Sequence, residues 1–390
     1  MRKSVLYVGA SYYNAVYLSR ELRKLGWKAT VLTFPGDMNE YLGHGRDISI
    51  EFNGSRFGFV PRAATVAKAF LGHNILHFSG INNLRLLYYL FPSRYPMPFG
   101  GDINLLKRLG KKIVYSQSGC LDGVSQTSFA KWGERPVCTD CIWRAHPEVC
   151  HDDKNLAWGK LRNSLCDFQV SAGGNRVDYN DDPRIHEVPE FYCLDPDVWS
   201  PNQQIPREHE LKIPKDTVKL YHAVGHFELR TEAETRRNIK STHIYIPTIE
   251  KLKKNGYNVE LVFVKDVPSR DVRYYQLQSD IVCDMLTYGF YGANVREALM
   301  LGKPVVCYLR PEWLASIRRE MPQFIDELPI VSATPENVYE VLEDLIRNPE
   351  KRREIGRRGR EFALRWHSSP RAAERFDRIY SSLLAGGNGS

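Results

Sequence analysis

The stretch Tyr288 to Val306, YGFYGANVREALMLGKPVV, constrains this chain more than any other. A glycine-punctuated turn runs into a short helix carrying Glu297, and Gly302-Lys303-Pro304 breaks that helix into an apolar strand. The layout puts backbone N–H groups and one carboxylate at the mouth of an α/β sheet, where open sheets of this kind bind ligands. Gly289 and Gly292 permit close backbone approach and unusual φ, and the helix that follows turns its positive end toward whatever anion occupies the turn. The plain alternative is a strand-loop-helix-strand unit whose glycines only make turns.

The rest of the chain supplies the alternation that such a sheet needs. Ser4 to Val8 predicts a strand, Tyr12 to Leu25 a helix ended by Gly26, and Lys28 to Thr33 the next strand; Ile75 to Phe78 and Lys112 to Tyr115 follow as buried strands. A second series begins at Val218 to His222. It continues through a helix at Ile244 to Asn255, a strand at Val259 to Val264, a short helix at Val272 to Leu277, and strands at Ile281 to Cys283 and Pro304 to Tyr308. Both series predict parallel sheets wound on two faces. VGASYYNA lacks the three-glycine spacing of a dinucleotide fingerprint. The chain has 390 residues, and single cores stop growing at roughly 250 to 300, so two domains are expected. The proline-rich polar stretch Asp195 to Pro214 is the hinge candidate.

No run of about 18 apolar residues exists, and the N-terminus enters a strand directly rather than a secretory signal, so a cytoplasmic, soluble chain is expected. The formal charge is +8, from 54 basic and 46 acidic residues, and six of the basic ones fall in Lys351 to Arg360. Such a run reads as a solvated helix face, or as a means of peripheral association with an anionic membrane surface. The absence of an aromatic-interleaved basic stripe argues against nucleic acid as a partner.

The glycine turn and Glu297 resemble the donor-binding signature of retaining nucleotide-sugar glycosyltransferases of the GT-B fold, of the family 4-like, group 1 kind. In that pattern two glutamates bracket a glycine-aromatic-glycine turn. Glu297 matches the second, which grips the ribose; Gly289 stands in the first one's place, leaving Asp284, Tyr288 or the backbone of Tyr291, Gly292 and Ala293 as substitutes for its contact with the donor sugar. A second match is YHAVGHFELRTEAETRRNIKSTHI, in which Lys240-Ser241-Thr242 resembles the family's Lys-Gly-Thr loop. The resemblance implies two Rossmann-like doubly wound domains facing across a cleft: residues 1–200 on the acceptor side, completed by a closing helix at 370–384, and 201–369 on the donor side. It implies a UDP- or GDP-sugar donor, a glycan or lipid-linked acceptor, chemistry that needs no metal, and transfer with retention, in cell-envelope polysaccharide or glycoconjugate assembly. A sugar-nucleotide epimerase and a non-catalytic binding protein of the same fold remain as alternatives.

Specific roles follow from the match. Lys240 and Arg237 would neutralise the departing diphosphate beside a helix N-terminus, although Arg236 and Arg237 also suit a solvent-facing loop. Lys265, after the strand ELVFV, falls where related enzymes hold the nucleobase. Gly9 and Ser11, in the first turn, would lie under the diphosphate. His77, at the end of a strand, is either a residue that bonds a sugar hydroxyl or moves a proton, or a satisfied core histidine.

The eight cysteines divide in two. Cys166, Cys193, Cys283 and Cys307 lie in apolar contexts and read as small core residues. Cys138 and Cys141 form a CxxC, and Cys150 with Cys120 or His151 would complete a tetrahedral zinc site stapling the insertion from about 120 to 154 within the first domain; free thiols are the other reading.

Overall fold

The structure is a computed structural model that describes residues 2–9, 12–34, 44–50, 59–80, 84–90, 99–117, 119–120, 122–133, 137–138, 140–171 and 176–386. The chain divides into two compact units, one of Met1–Ser125, Asp152–Cys193 and Ser369–Ser390, the other of Gln126–His151 and Leu194–Ser368.

In the first unit seven described strands form one sheet: β1 (Ser4–Val8), β2 (Lys28–Thr33), β3 (Ile48–Ser49), β4 (Ile75–Ser79), β5 (Lys112–Ser116), β6 (Phe168–Val170) and β7 (Ile185–His186). Their order is β3-β2-β1-β4-β5-β6-β7, with every pairing parallel. All residues of β1 and β4 are buried, as strands covered on both faces must be, which is why these segments are mostly apolar. The helix Asn14–Lys24 buries Ala15, Leu18 and Leu22 and stops at Gly26, whose φ of +81° suits a left-handed helix end. Against it packs the last helix, Ser369–Leu384, through Ala372, Ala373, Phe376, Ile379 and Leu383 at helical spacing. Trp27 Nε1 donates to Asp377 at 2.7 Å, tying that helix further to the first unit.

The second unit carries β8 (Val218–Val224), β9 (Val259–Lys265), β10 (Ile281–Cys283) and β11 (Val305–Val306), in the parallel order β11-β10-β8-β9. Its core joins Leu220, Tyr245, Ile249, Ile281, Val306 and Leu342. The strand order reverses beside β1 in the first sheet and beside β8 in the second. Such switch points open a crevice at the carboxyl ends of the strands.

The expected domain boundaries shift in two places. The Cys-rich segment Gln126–His151 belongs to the second unit, not the first. Its fastening is visible: Arg310 Nη1 donates to the Trp132 carbonyl at 2.6 Å and the guanidinium lies 5.3 Å from the Trp132 ring, while Phe129 meets Tyr288 edge-on at 5.9 Å. The expected hinge, 195–214, lies wholly in the second unit, where Arg360 donates to the carbonyls of Trp199 and Pro196 and Leu194 bridges Ser368. Arg360 ends the basic run, and other members of that run are engaged too: Arg353 with Glu350, Lys351 with Asp344, and Arg357 with Glu354 and Glu361. Among the described residues no helix is long and apolar enough to cross a membrane.

His77 is a core residue and not the catalytic candidate its strand-end position suggested. It is fully buried among Tyr7, Phe191 and Phe376, and both ring nitrogens are engaged, Nδ1 with the Tyr380 hydroxyl at 2.6 Å and Nε2 with Ser116 Oγ at 2.5 Å. Burial lowers its pKa from 6.5 to about 3, and burial likewise lowers that of His222 in the second unit to about 4. The unfolded chain therefore takes up these protons below about pH 6.5 while the folded chain refuses them. Stability is complete above that pH and falls on acidification, by about 2 kcal/mol for each histidine at pH 5. Thermal unfolding midpoints between pH 7.5 and 5 are expected to drop accordingly, and less in His77→Gln if that variant folds.

Candidate functional site

At the switch point of the second sheet, Asp284 is the first residue beyond β10 and is fully buried. Lys240 Nζ reaches its Oδ1 at 2.9 Å, and its Oδ2 has no hydrogen-bond partner among the described residues. A buried carboxylate is retained only where a charge answers it, so this pair fixes both side chains. Lys240 sits one residue before Ser241, which has φ +67°, the left-handed region that glycine enters most easily. A serine thus holds a backbone shape that favours glycine, and Ser241 Oγ accepts the Leu286 N–H at 3.0 Å in partial compensation.

His222 lies within β8 instead of leaving it. Its Nδ1 must carry the proton, because it faces the Cys283 carbonyl at 3.1 Å, and a carbonyl only accepts. Nε2 then accepts from the Thr242 hydroxyl at 2.8 Å. The neutral ring pins the start of the helix Thr242–Lys254, and with it the loop that carries Lys240.

Glu297 is buried in the helix Ala293–Met300. It and Asp284 both act on Tyr221 of β8: burial first, then Glu297, then Asp284 raise that phenol far above its usual pKa. Glu297 and the Lys240–Asp284 pair therefore share one neighbourhood at the carboxyl side of the second sheet. Gly292 caps the Glu297 helix and has only Met285 Cε near the place of a side chain, at 3.8 Å, so the approach to the N-terminal backbone of Ala293 is open. Tyr291 is buried and turns its hydroxyl to His367 Nε2 at 3.0 Å.

Gly289 has φ +101°, and a Cβ there would lie 2.6 Å from Arg310 Nε and 2.8 Å from Arg310 Cβ. The space a side chain at position 289 would need is filled by the fully buried Arg310. Nothing in the sequence marks Arg310 for this, since it lies beyond the next strand.

The cysteines do not form the expected zinc site. Among the described residues no three His, Cys, Asp or Glu side chains gather to hold a metal. Cys120 falls in the first unit, the other three in the second. Cys141 and Cys150 are neighbours whose interaction, after burial, raises the Cys141 pKa, and Cys150 Sγ accepts from Gln126 at 3.3 Å. Arg310 fastens this segment through the Trp132 carbonyl.

Arg237 lines a cavity of about 620 Å³ together with Arg144 and Asp140 of the cysteine segment. Lys265 ends β9, exposed, 3.9 Å from Glu228 and over the Phe227 ring. Gly9 follows β1 with φ +71°, and its N–H meets the Leu32 carbonyl at 3.0 Å. Ser11 lies outside the described residues.

No protein-family model and no curated protein matches the sequence. Solved structures do match over nearly the whole chain. A sucrose-phosphate synthase from Thermosynechococcus elongatus matches with a TM-score of 0.56 at 14% identity, covering 99% of this chain and 100% of that one. The Anabaena protein HepE, solved with UDP and glucose, matches with a TM-score of 0.59 at 12% identity over 98% of this chain and 100% of its own. The fold is GT-B. Identities this low establish that architecture and nothing finer, and the two parallel α/β units are the form of it that the sequence alternation predicted.

Proposed function

We propose that this GT-B chain is a glycosyltransferase that moves a sugar from a nucleotide-sugar to a glycan or glycolipid acceptor. The observation that carries the reading is the buried Asp284 holding the Lys240 ammonium at the switch point, with Glu297 beside the same tyrosine. A diphosphate leaves with growing negative charge, and a cation held in place before the reaction stabilises that charge without reorganisation. Asp284 orients Lys240 through one oxygen. Glu297 then bonds the ribose, and the helix N-terminus at Ala293 faces the phosphates. HepE, of the same fold, was solved with UDP-glucose as well as with UDP and glucose, which favours a uridine donor here. Attack from the face that the diphosphate leaves would retain the anomeric configuration, and a cell-envelope polysaccharide or glycoconjugate would be the product class.

Calorimetric titration with UDP and GDP tests the reading. One of them is expected to bind, and Glu297→Ala to weaken it by about tenfold or more, the loss of a hydrogen bond to a charged group. If neither nucleotide binds, or if Glu297→Ala binds as tightly as the parent, the donor assignment fails.

A further inference from the structure

The cavity beside Arg237 is built from two short loops of the second unit, residues 140–146 of the cysteine segment and residues 231–237 after β8. At about 620 Å³ it falls within the roughly 300–1,000 Å³ range of small-molecule sites. Both loops are closed on themselves. Glu232 N donates to the Arg237 carbonyl and Arg236 N to the Glu232 carbonyl, each at 2.9 Å; Arg144 N donates to the Cys141 carbonyl at 3.2 Å, and Gln126 Nε2 holds the Arg144 carbonyl at 3.2 Å.

Its charged lining is unevenly committed. Asp140 is buried and lies 3.8 Å from His243 Nε2, and Glu232 accepts the Thr235 hydroxyl. Neither guanidinium, Arg144 nor Arg237, has a carboxylate within ion-pair distance among the described residues. His243, close enough to Arg237 to feel its charge, has a buried Nδ1 without a hydrogen-bond partner among the described residues. Both side chains are exposed and line the same cavity, and two such guanidinium groups match the geometry of a phosphate, which each can bond through two N–H groups.

We propose that this cavity binds a phosphoryl group gripped by Arg144 and Arg237. The assignment goes beyond the transferase reading, because it gives the cysteine segment a ligand-binding role and does not depend on Glu297 or Lys240. The phosphoryl group comes either from the diphosphate of the nucleotide or from a phosphate carried by the acceptor.

Calorimetry of the full chain with inorganic pyrophosphate is the test, using the parent, Arg144→Ala, Arg237→Ala and, as a surface control, Arg358→Ala. The parent is expected to bind, each cavity variant to lose at least tenfold in affinity with an unchanged thermal midpoint, and Arg358→Ala to behave as the parent. Repeating the titration in saturating UDP separates the sources: displaced pyrophosphate points to the nucleotide's own diphosphate, retained pyrophosphate to a phosphorylated acceptor. A parent that does not bind pyrophosphate, or cavity variants that lose less than threefold, overturns the proposal. Absent UDP binding with pyrophosphate binding intact sinks the transferase reading and leaves this one standing.

Discussion

Replacing Lys240 with alanine is expected to lower sugar transfer by two to three orders of magnitude and to destabilise the second unit. The rate effect follows from removing a preorganised cation from the departing diphosphate; loss of one such donor typically costs about 10²–10³ in turnover. The stability effect has a separate cause. Asp284 is fully buried and Lys240 Nζ stands 2.9 Å from it, so the variant strands a carboxylate without its counter-charge. Breaking a buried pair costs about 3–5 kcal/mol, and the partial exposure of Lys240 reduces the expectation to about 2–3. The two effects separate in a double variant: Lys240→Ala with Asp284→Ala should recover much of the stability while transfer stays low. Donor turnover and thermal midpoints of the three variants check this. Normal turnover in Lys240→Ala removes the cation from the mechanism, and a double variant no more stable than Lys240→Ala removes the pairing argument.

The strands that sequence reading placed well are the central ones. Ser4–Val8, Lys28–Thr33 and Ile281–Cys283 are parallel strands in buried surroundings, and their apolar runs end at turn residues. β3, β6 and β7 escaped it, because two or three residues toward the outer ends of a sheet carry no periodicity. At the site, Lys240 was legible as a cation just before a helix, but its partner is 44 residues away and only the pairing of β8 with β10 brings it near. His77 and His222 illustrate a further limit. Both sit on strands, and what makes each a structural residue is a distant side chain or carbonyl: Tyr380 for one, Cys283 for the other. The CxxC spacing is a local signal, whereas the order of its segment is set by Arg310, far along the chain.

Arg310 also underlies the second large effect. Gly289→Ala is expected to destabilise the second unit by about 3 kcal/mol, against about 1 kcal/mol for Gly256→Ala. Both glycines have positive φ, +101° and +87°, so both substitutions incur the left-handed penalty. Only at Gly289 would the new Cβ collide, at 2.6 Å with Arg310 Nε and at 2.8 Å with Arg310 Cβ; at Gly256 nothing lies within 4 Å. Arg310 cannot swing aside without loss, since its guanidinium holds the Trp132 carbonyl and lies over the Tyr308 and Trp132 rings. Gly289→Glu, with a larger side chain, should therefore displace Arg310 and release the segment that carries Arg144. Pyrophosphate affinity should fall together with the thermal midpoint, although position 289 does not line the cavity. A Gly289→Glu variant with the parent's midpoint and full pyrophosphate binding would show that Arg310 is not what fastens the segment. The coupled loss would instead mean that Arg310 fastens the segment whose Arg144 lines the cavity.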